Sequence, residues 1–228
     1  MVRRAKAGRR RLWLAGGFAG AVAVLAAGVA FGATTIVGQA DNHYAPGPYT
    51  INQGEVAQFQ VLGSTHNVTA HQTGPDGGAL FRSATISGGT TPVGGTQYLT
   101  AGDYTFFCSV HPATMQATLH VTGAGTPLAR PAATLSLRTK TISKALRRGL
   151  LVAVNMSAKT DGVSLAATLG KATIAKASDL STAAGQQFAV LKLTKSGKSK
   201  LRGLSKASVK LTATIPFGSP ASAKGKLR

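Results

Sequence analysis

One eight-residue segment near the middle of the chain, CSVHPATM, constrains the fold most; it runs from Cys108 to Met115. Cys108 is the only cysteine in 228 residues, so no intramolecular disulfide can form and a packed core must hold the fold. His111 and Met115 follow at C-x2-H-x3-M spacing, which puts a thiol, an imidazole and a thioether in one loop. A free cysteine is often only a small buried apolar side chain. The neighbouring imidazole and thioether favour a metal-binding loop instead.

The loop needs a second histidine to complete a common metal site. Soft sulfur ligands with imidazole favour copper, and a His2Cys set with a long axial Met is the blue-copper arrangement. His66, followed by Asn67 and Val68 at the start of an alternating apolar segment, is the candidate. Zinc also binds Cys and His, but structural zinc sites use more cysteines and rarely methionine. Five histidines and one cysteine supply one mononuclear site, which excludes a multicopper oxidase, a copper nitrite reductase and a dinuclear copper site.

The net charge of +20 is unevenly distributed along the chain. Residues 1–11 carry six Lys or Arg, whereas residues 12–125 carry only Arg82 against four acids and are net −3. The remaining 19 basic residues follow residue 125 with only two acids, Asp161 and Asp179, which gives about +17 there. The chain therefore has three electrostatic sections.

The first section predicts an export signal or a membrane anchor over residues 1–40. Six basic residues precede an uncharged run from Leu12 to Val37. This run exceeds the roughly 7–15 apolar residues of a cleaved signal, and about 20 residues can span a bilayer. Small-x-small cleavage sites end at Gly32 and at Ala40, so both cleavage and retention stay open. In either case the basic flank predicts a cytoplasmic N-terminus and an exported, envelope-associated remainder, either anchored by residues 12–37 or released.

The middle section, residues 41–124, reads as short strands separated by turns. The segment from Val56 to Val61 alternates apolar and polar residues, as in a half-buried strand. Further strands are predicted at 49–51, 67–71, 96–99, 104–108 and 116–121, with a long glycine-rich loop before Gly95. Many short strands in about 80 residues predict a β-sandwich.

The motifs of this section resemble those of the cupredoxins, small blue-copper proteins such as plastocyanin, amicyanin and azurin. The likeness covers residues 42–123 and rests on His66-Asn67-Val68, on the run from Tyr104 to Pro112, and on Met115. It implies a Greek-key β-sandwich holding one type 1 copper ion for electron transfer, and no enzymatic activity. Three residues separate His111 from Met115, whereas plastocyanin-like loops have four and amicyanin-like loops two.

The resemblance also implies residue roles. It makes His66, Cys108, His111 and Met115 the copper ligands. It implies that two further residues, Asn67 and Ser109, tie the ligand segments together by hydrogen bonds. The ring edge of His111 is expected to reach an apolar surface where a redox partner docks.

The third section follows a linker at residues 125–132 and predicts a second β-domain at 133–228. Strands are predicted at 135–137, 149–157, 163–169, 173–177, 188–193 and 209–216, with a short helix at 194–204. The composition weakly resembles the basic immunoglobulin-like modules of exported actinobacterial proteins, which implies a second sandwich. Phe188 and Phe217 are its only aromatic residues, which argues against nucleic acid. An anionic envelope or membrane surface is the expected partner, and a merely solvated lysine face is the alternative.

The sequence thus predicts an exported carrier of single electrons. Two alternatives stay open: a copper-binding module that scavenges or delivers copper, and an envelope adhesion protein whose copper is structural.

Overall fold

The computed structural model describes residues 34–228, and Ala33–Arg228 form a compact unit. The predicted signal or anchor helix lies mostly in residues 1–33, outside the described residues. Within residues 34–228, no helix is long and apolar enough to cross a membrane.

Seven strands and a 3-10 helix form the N-terminal β-region. They are β1 (Thr35–Gly38), β2 (Tyr49–Gln53), β3 (Gln58–Val61), β4 (Thr69–Ala70), β5 (Gly89–Pro92), the 3-10 helix (Thr96–Tyr98), β6 (Gly102–Phe107) and β7 (Gln116–Gly125). One sheet has the order β1-β3-β5 and the other β2-β7-β6-β4. Apolar side chains of both sheets, among them Phe59 and Phe106, are fully buried in one shared core. The predicted β-sandwich is therefore present in this part of the chain.

Strand β1 begins inside the stretch that was predicted as signal or anchor, residues 1–40. It pairs in parallel with β3, from Thr35 opposite Gln58 to Gly38 opposite Val61, and Ile36 is fully buried in the core. Residues 35–40 therefore belong to the folded β-region. The uncharged run could not reveal this boundary, because β1 continues the apolar composition of the segment before it.

The predicted strand at 96–99 is wrong, since Thr96–Tyr98 form a 3-10 helix. Gly95 precedes the helix with a positive φ of 100°. The buried Thr96 hydroxyl accepts a hydrogen bond from the Ala57 amide and donates to the Val93 carbonyl. These bonds satisfy local backbone groups in place of a strand ladder. Strand β5, which pairs with β3, lies in the segment that was predicted as a glycine-rich loop.

Seven strands and two helices form the C-terminal β-region. They are β8 (Ala133–Leu137), α1 (Ile142–Arg148), β9 (Leu150–Met156), β10 (Thr160–Leu169), β11 (Ala172–Thr182), β12 (Gly185–Leu193), α2 (Lys195–Arg202), β13 (Ala207–Thr214) and β14 (Ala221–Leu227). They make one sheet in the order β14-β13-β10-β11-β12-β9-β8.

The two outer strands of this sheet, β14 and β8, lie close to each other. A Cβ added on Gly225 of β14 would lie only 2.6 Å from Leu137 of β8. The Arg228 carbonyl accepts the Ile142 amide and the Arg228 amide donates to the Lys140 carbonyl. The sheet therefore curls almost into a barrel.

The predicted immunoglobulin-like sandwich is not what these strands form. A sandwich needs two sheets, whereas all seven strands belong to one sheet that curls around its own core. Buried and exposed residues alternate in the same way in both architectures, so the alternation cannot distinguish them. The pairing of β11 with β12 distinguishes them, because it joins the strands β14-β13-β10-β11 to the strands β12-β9-β8 in one sheet.

Each of the two helices begins after a threonine that caps its first turn. The hydroxyl of Thr141 caps α1 through the Lys144 amide, and that of Thr194 caps α2 through the Gly197 amide. The helix predicted at 194–204 is confirmed, whereas α1 was not predicted.

Candidate metal centre

The pairing of β4 with β6 brings the two candidate ligand segments together. These strands are antiparallel, with Thr69 opposite Phe107. Continuing that register by two residues places Asn67 opposite Ser109, so that the residues before β4 meet the residues after β6. His66 is further fixed by an antiparallel bridge in which its amide and carbonyl both bond Ile86, each over 3.0 Å.

The loop between β6 and β7 is folded by its own backbone. The Cys108 amide donates to the Met115 carbonyl over 2.9 Å, and the Met115 amide donates to the His111 carbonyl over 3.0 Å. The His111 amide in turn donates to the Cys108 carbonyl over 3.1 Å. Two turns and the bond that closes the loop thus hold Cys108, His111 and Met115 together in eight residues.

Three donor atoms converge at this end of the sandwich. The Nδ1 atoms of His66 and His111 each lie 3.9 Å from the Sγ atom of Cys108, and all three atoms lie within 4.8 Å of one another. Bonds of about 2.3 Å to sulfur and about 2.0 Å to nitrogen, the zinc values, would separate sulfur from nitrogen by about 3.7 Å in a trigonal site. The observed 3.9 Å therefore fits one metal ion shared by the three residues.

The His66 ring is held in the tautomer that a metal requires. Its Nε2 atom lies 2.9 Å from the Gln39 carbonyl oxygen. A carbonyl only accepts, so Nε2 carries the hydrogen and the neutral ring leaves the Nδ1 lone pair facing Cys108. Such a backbone contact orients the ring as partners of metal-bound histidines commonly do.

Met115 is fully buried beside the His66 ring. Its methyl carbon would lie 3.1 Å from a Cβ added at Gly38, and His66 Cδ2 would lie 3.2 Å from the same point. The two side chains thus flank Gly38 from the same side. The buried Met115 side chain therefore packs against the same glycine as the His66 ring, in the loop that also carries Cys108 and His111.

Asn67 joins the two ligand segments. Its Oδ1 atom accepts the Ser109 amide over 2.8 Å, and its Nδ2 group donates to the hydroxyls of Ser109 over 2.7 Å and Thr85 over 2.8 Å. The Tyr44 hydroxyl donates to the Asn67 carbonyl over 2.6 Å. The structure thus brings Asn67 and Ser109 into the contact that the resemblance implied, and fixes both ligand segments at once.

The site is apolar and closed on its inner side. Cys108, His66 and Met115 are fully buried, and neighbouring Phe59 and Val68 belong to the same core. Burial, and to a smaller extent electrostatic interaction with Cys108 and Tyr49, raises the pKa of the Tyr44 hydroxyl well above its usual value. The low dielectric of such a pocket strengthens the attraction between a thiolate and a metal cation.

The outer side of the site is reached through His111. This ring is partly exposed, whereas the other three candidate side chains are fully buried. Val110 is 46% exposed and Pro112 is also exposed, so the loop surrounds the ring with apolar surface. The expected apolar rim around His111 is therefore present.

Several supporting residues were missed from the sequence. Gln39 and Gly38 lie in the stretch that was predicted as signal or anchor, and Thr85 lies in the glycine-rich loop. Tyr44 precedes the first predicted strand, and nothing local links it to Asn67. An aromatic residue shortly before the first predicted strand, at 49–51, was the only available signal.

The other three histidines lie away from the cluster. His43 is exposed near Asp41, His71 packs against the Phe107 ring at 4.6 Å between centroids, and His120 lies 2.6 Å from Asp103 on the surface. Their positions agree with the prediction that His71 and His120 are surface or rim residues.

The two packed sheets and the His-Cys-His cluster at one end are the arrangement of a cupredoxin. The solved structures that this part of the chain resembles include amicyanins. The reduced form of a tryptophan-to-tyrosine variant of amicyanin is 23% identical, with 42% of this chain and 87% of that chain covered and a TM-score of 0.33. Amicyanin from Paracoccus versutus is 24% identical, with 42% and 86% covered and a TM-score of 0.32. No protein-family model and no curated protein matches the sequence.

Proposed function

We propose that this protein carries single electrons through one type 1 copper ion bound by His66, Cys108, His111 and Met115. The observation that supports this most is the convergence of two imidazole Nδ1 atoms on one buried thiol, each at 3.9 Å. A mixed nitrogen and sulfur set with a buried thioether suits both Cu(I) and Cu(II). Bound copper would supply the reversible one-electron step.

The protein's own residues keep that site in one geometry. The Gln39 carbonyl orients the His66 ring, and Asn67 locks the segment of His66 to the segment of Cys108. Burial of the thiol and thioether excludes water from the inner side of the site. Rigid, dry ligands reduce the rearrangement that accompanies a change of charge, which favours electron transfer over storage.

The redox partner is proposed to dock on the apolar rim around His111. Val110 and Pro112 offer exposed apolar contact beside the one candidate ligand that reaches the surface. Electrons would pass through the His111 ring edge, since the other donors are enclosed by the core.

Export is part of the same proposal. The basic start and the apolar run of residues 1–33 favour delivery to the cell envelope, with residues 34–228 beyond the membrane. Cleavage after Ala40 would remove β1 and the Gln39 contact to His66, so cleavage after Gly32 fits the fold better. N-terminal sequencing of the protein recovered from the envelope tests this: a start at Asp41 would contradict it.

The copper site is tested by adding one equivalent of Cu(II) to purified residues 34–228. An intense visible thiolate-to-copper band is expected, and Cys108→Ser and His66→Ala should abolish it. His120→Ala is the matched control, because that histidine lies on the surface away from the cluster. A colourless product, or a band that survives Cys108→Ser, would refute the site.

Cyclic voltammetry of the loaded protein then separates a carrier from a copper scavenger. A carrier gives a reversible one-electron wave with copper retained in both states. Loss of copper on oxidation or reduction would favour scavenging or delivery instead.

A further inference from the structure

The outer face of β9 and β12 carries unusual exposed apolar surface. Phe188 is 57% exposed, Val190 is 52% exposed and Leu151 is 38% exposed. Val190 is directly opposite Leu151 in the ladder, and Phe188 is opposite Ala153 two residues further on. Since side chains two residues apart share a face, the three large residues form one patch, which we call the β9/β12 patch. Exposed aliphatic and aromatic groups that touch one another mark an interaction surface more often than scattered ones do.

Basic residues border one end of the β9/β12 patch. The Arg138 amide donates to the Leu151 carbonyl, so the exposed Arg138 lies beside the patch. Lys192 follows Val190 by two residues on the same face, and its direct cross-strand neighbour is Lys176. Like charges directly opposite each other destabilise a sheet, and a bound anion removes that cost.

These cations have no anionic partner among the described residues. Residues 34–228 contain no ion pair that involves a lysine or arginine after residue 125. Of the region's two acidic side chains, Asp161 accepts the Ser181 hydroxyl, and neither Asp161 nor Asp179 forms an ion pair within residues 34–228. The basic end of the patch is therefore free to attract an external anion.

The patch also opens toward the core of the sheet. Strands β11 and β12 pair only at Ala175 opposite Leu193 and at Lys176 opposite Lys192. Beyond these two pairs the strands separate and leave a cavity of about 250 Å³. Its apolar lining includes Val163, Leu165, Leu180, Phe188 and Val190. An apolar chain that reaches the patch can therefore also enter the space between the strands.

From this combination we propose that the β9/β12 patch docks on an anionic lipid bilayer. Phe188, Val190 and Leu151 enter the interfacial layer, while Arg138, Lys176 and Lys192 bind lipid phosphates. The pairing of apolar residues with basic neighbours is the pattern of interfacial membrane binding. A second copy of the chain would bring the opposed lysines of two molecules together, and a water-soluble polyanion would leave the apolar residues uncovered.

The test is sedimentation of residues 34–228 with vesicles of phosphatidylcholine containing about one third phosphatidylglycerol, a mixture chosen for its negative surface potential. The protein is expected to bind these vesicles and to bind pure phosphatidylcholine vesicles far more weakly. Each lysine near an anionic membrane strengthens binding about fivefold. The double variant Lys176→Gln, Lys192→Gln, which loses two such lysines, should therefore bind at least about 20-fold more weakly. Phe188→Ser should bind about tenfold more weakly, the factor expected when one large apolar side chain is no longer buried.

The chain offers a matched control for the lysine change. Lys210 and Lys224 are also exposed and directly opposed, but they lie on β13 and β14 away from the patch. The double variant Lys210→Gln, Lys224→Gln removes the same charge and should weaken binding less than fivefold. Equal losses from both lysine pairs would overturn the assignment to this face and leave only a general charge effect.

Three further outcomes would also overturn the proposal. They are unchanged vesicle binding by Phe188→Ser, equally tight binding of soluble polyphosphate that Phe188→Ser leaves unchanged, and concentration-dependent dimerisation that Phe188→Ser abolishes. Circular dichroism of each variant of this region verifies that the sheet is intact, which is expected because the altered lysine and phenylalanine side chains are exposed. The proposal does not depend on copper, and Cys108→Ser should bind vesicles as the parent does.

Discussion

The backbone amide of Phe217 donates a hydrogen bond of 3.0 Å to the Asp76 carboxylate, 141 residues earlier in the chain. The same carboxylate oxygen accepts from Arg82 over 2.8 Å, and the Arg82 guanidinium lies 4.3 Å from the centre of the Phe217 ring. Asp76 and Arg82 belong to the N-terminal β-region, whereas Phe217 lies between β13 and β14 of the C-terminal β-region. This cluster therefore joins the two β-regions.

Glycines make room for the Phe217 ring at this junction. A Cβ added to Gly94 or Gly95 would lie 2.9 Å from the ring. On the other side, Arg130 donates to the Phe217 carbonyl and lies over the Tyr98 ring at 5.4 Å. Phe217 itself has a positive φ of 61°, a conformation that bulky residues adopt only when their surroundings enforce it.

The Asp76 contact predicts an acid-sensitive junction. Burial alone would raise the pKa of Asp76, but the hydrogen bonds from Arg82, Phe217 and Gly78 and the charge of Arg82 together lower it below its usual value. A lowered pKa means that this stabilisation is complete above the unfolded-state pKa of about 3.9 and is lost as the pH falls through the folded-state value. Asp76→Asn should therefore lower the free energy of unfolding by about 2 kcal/mol at pH 7, the typical loss for a charged hydrogen bond.

Urea unfolding of residues 34–228 at pH 7 and at pH 3 measures this effect. The difference between the parent and Asp76→Asn should shrink at pH 3, because below a pH of about 3.9 the unfolded parent binds a proton at Asp76 that folding must release from the carboxylate with its lowered pKa. Asp103→Asn is the control, since that carboxylate is 68% exposed. A pH-independent difference would show that the charge of Asp76 does not stabilise the junction.

Asn67→Ala tests the lock between the ligand segments. The change leaves the Ser109 amide and the Thr85 hydroxyl without their partner and frees the Cys108 loop from the His66 segment. Copper affinity should fall by about 10- to 100-fold, as for other residues that hold metal ligands in place. Stability should fall by about 1–3 kcal/mol. Competitive titration with a copper chelator gives the affinity, and Asn155→Ala, at an exposed strand position, should leave it unchanged.

Gly38→Ala tests how closely the first strand approaches the metal centre. The new methyl group would lie 3.1 Å from the Met115 methyl carbon, 3.2 Å from His66 Cδ2 and 3.3 Å from the Phe59 ring. These groups must move by a few tenths of an ångström, which should shift the visible copper band and the redox potential while copper still binds. Gly88→Ala is the control, because no atom lies within 4 Å of its added Cβ. An identical spectrum for Gly38→Ala would place Met115 and His66 further from β1 than described.

The candidate ligands could be predicted because they lie in two short sequence motifs. Cys108, His111 and Met115 lie within one loop, and His66 with Asn67 forms a recognisable pair. Their support could be predicted only in part. The roles of Asn67 and Ser109 were implied by the resemblance to the cupredoxins, whereas the Gln39 carbonyl acts through its backbone, which leaves no trace in residue identity.

The strands of the C-terminal β-region could be predicted from the sequence, but their arrangement in the sheet could not. The two-residue alternation identifies an element and its buried side, but the partner of β10 is β13, more than 40 residues later. Phe217 illustrates the same limit, because its partners Asp76 and Arg82 are set by tertiary packing. Local patterns thus predict where a chain is extended, and non-local pairing decides whether the result is a sandwich or a curled sheet.

The difference in exposure between the two histidines predicts different responses to their removal. His111 is partly exposed, whereas the His66 side chain is fully buried inside the protein. Both His111→Gly and His66→Gly should lose the visible copper band of the parent. Added imidazole can enter the space left by His111 from the surface and occupy the vacant nitrogen position, so the band should return within the mixing time for His111→Gly. For His66→Gly the entering ring would have to cross the packed core, so recovery should be absent or should take minutes to hours, with access limited by opening of the fold. Stopped-flow absorption with imidazole measures both rates; equally fast recovery of the two variants would contradict the assignment of His111 as the outer ligand.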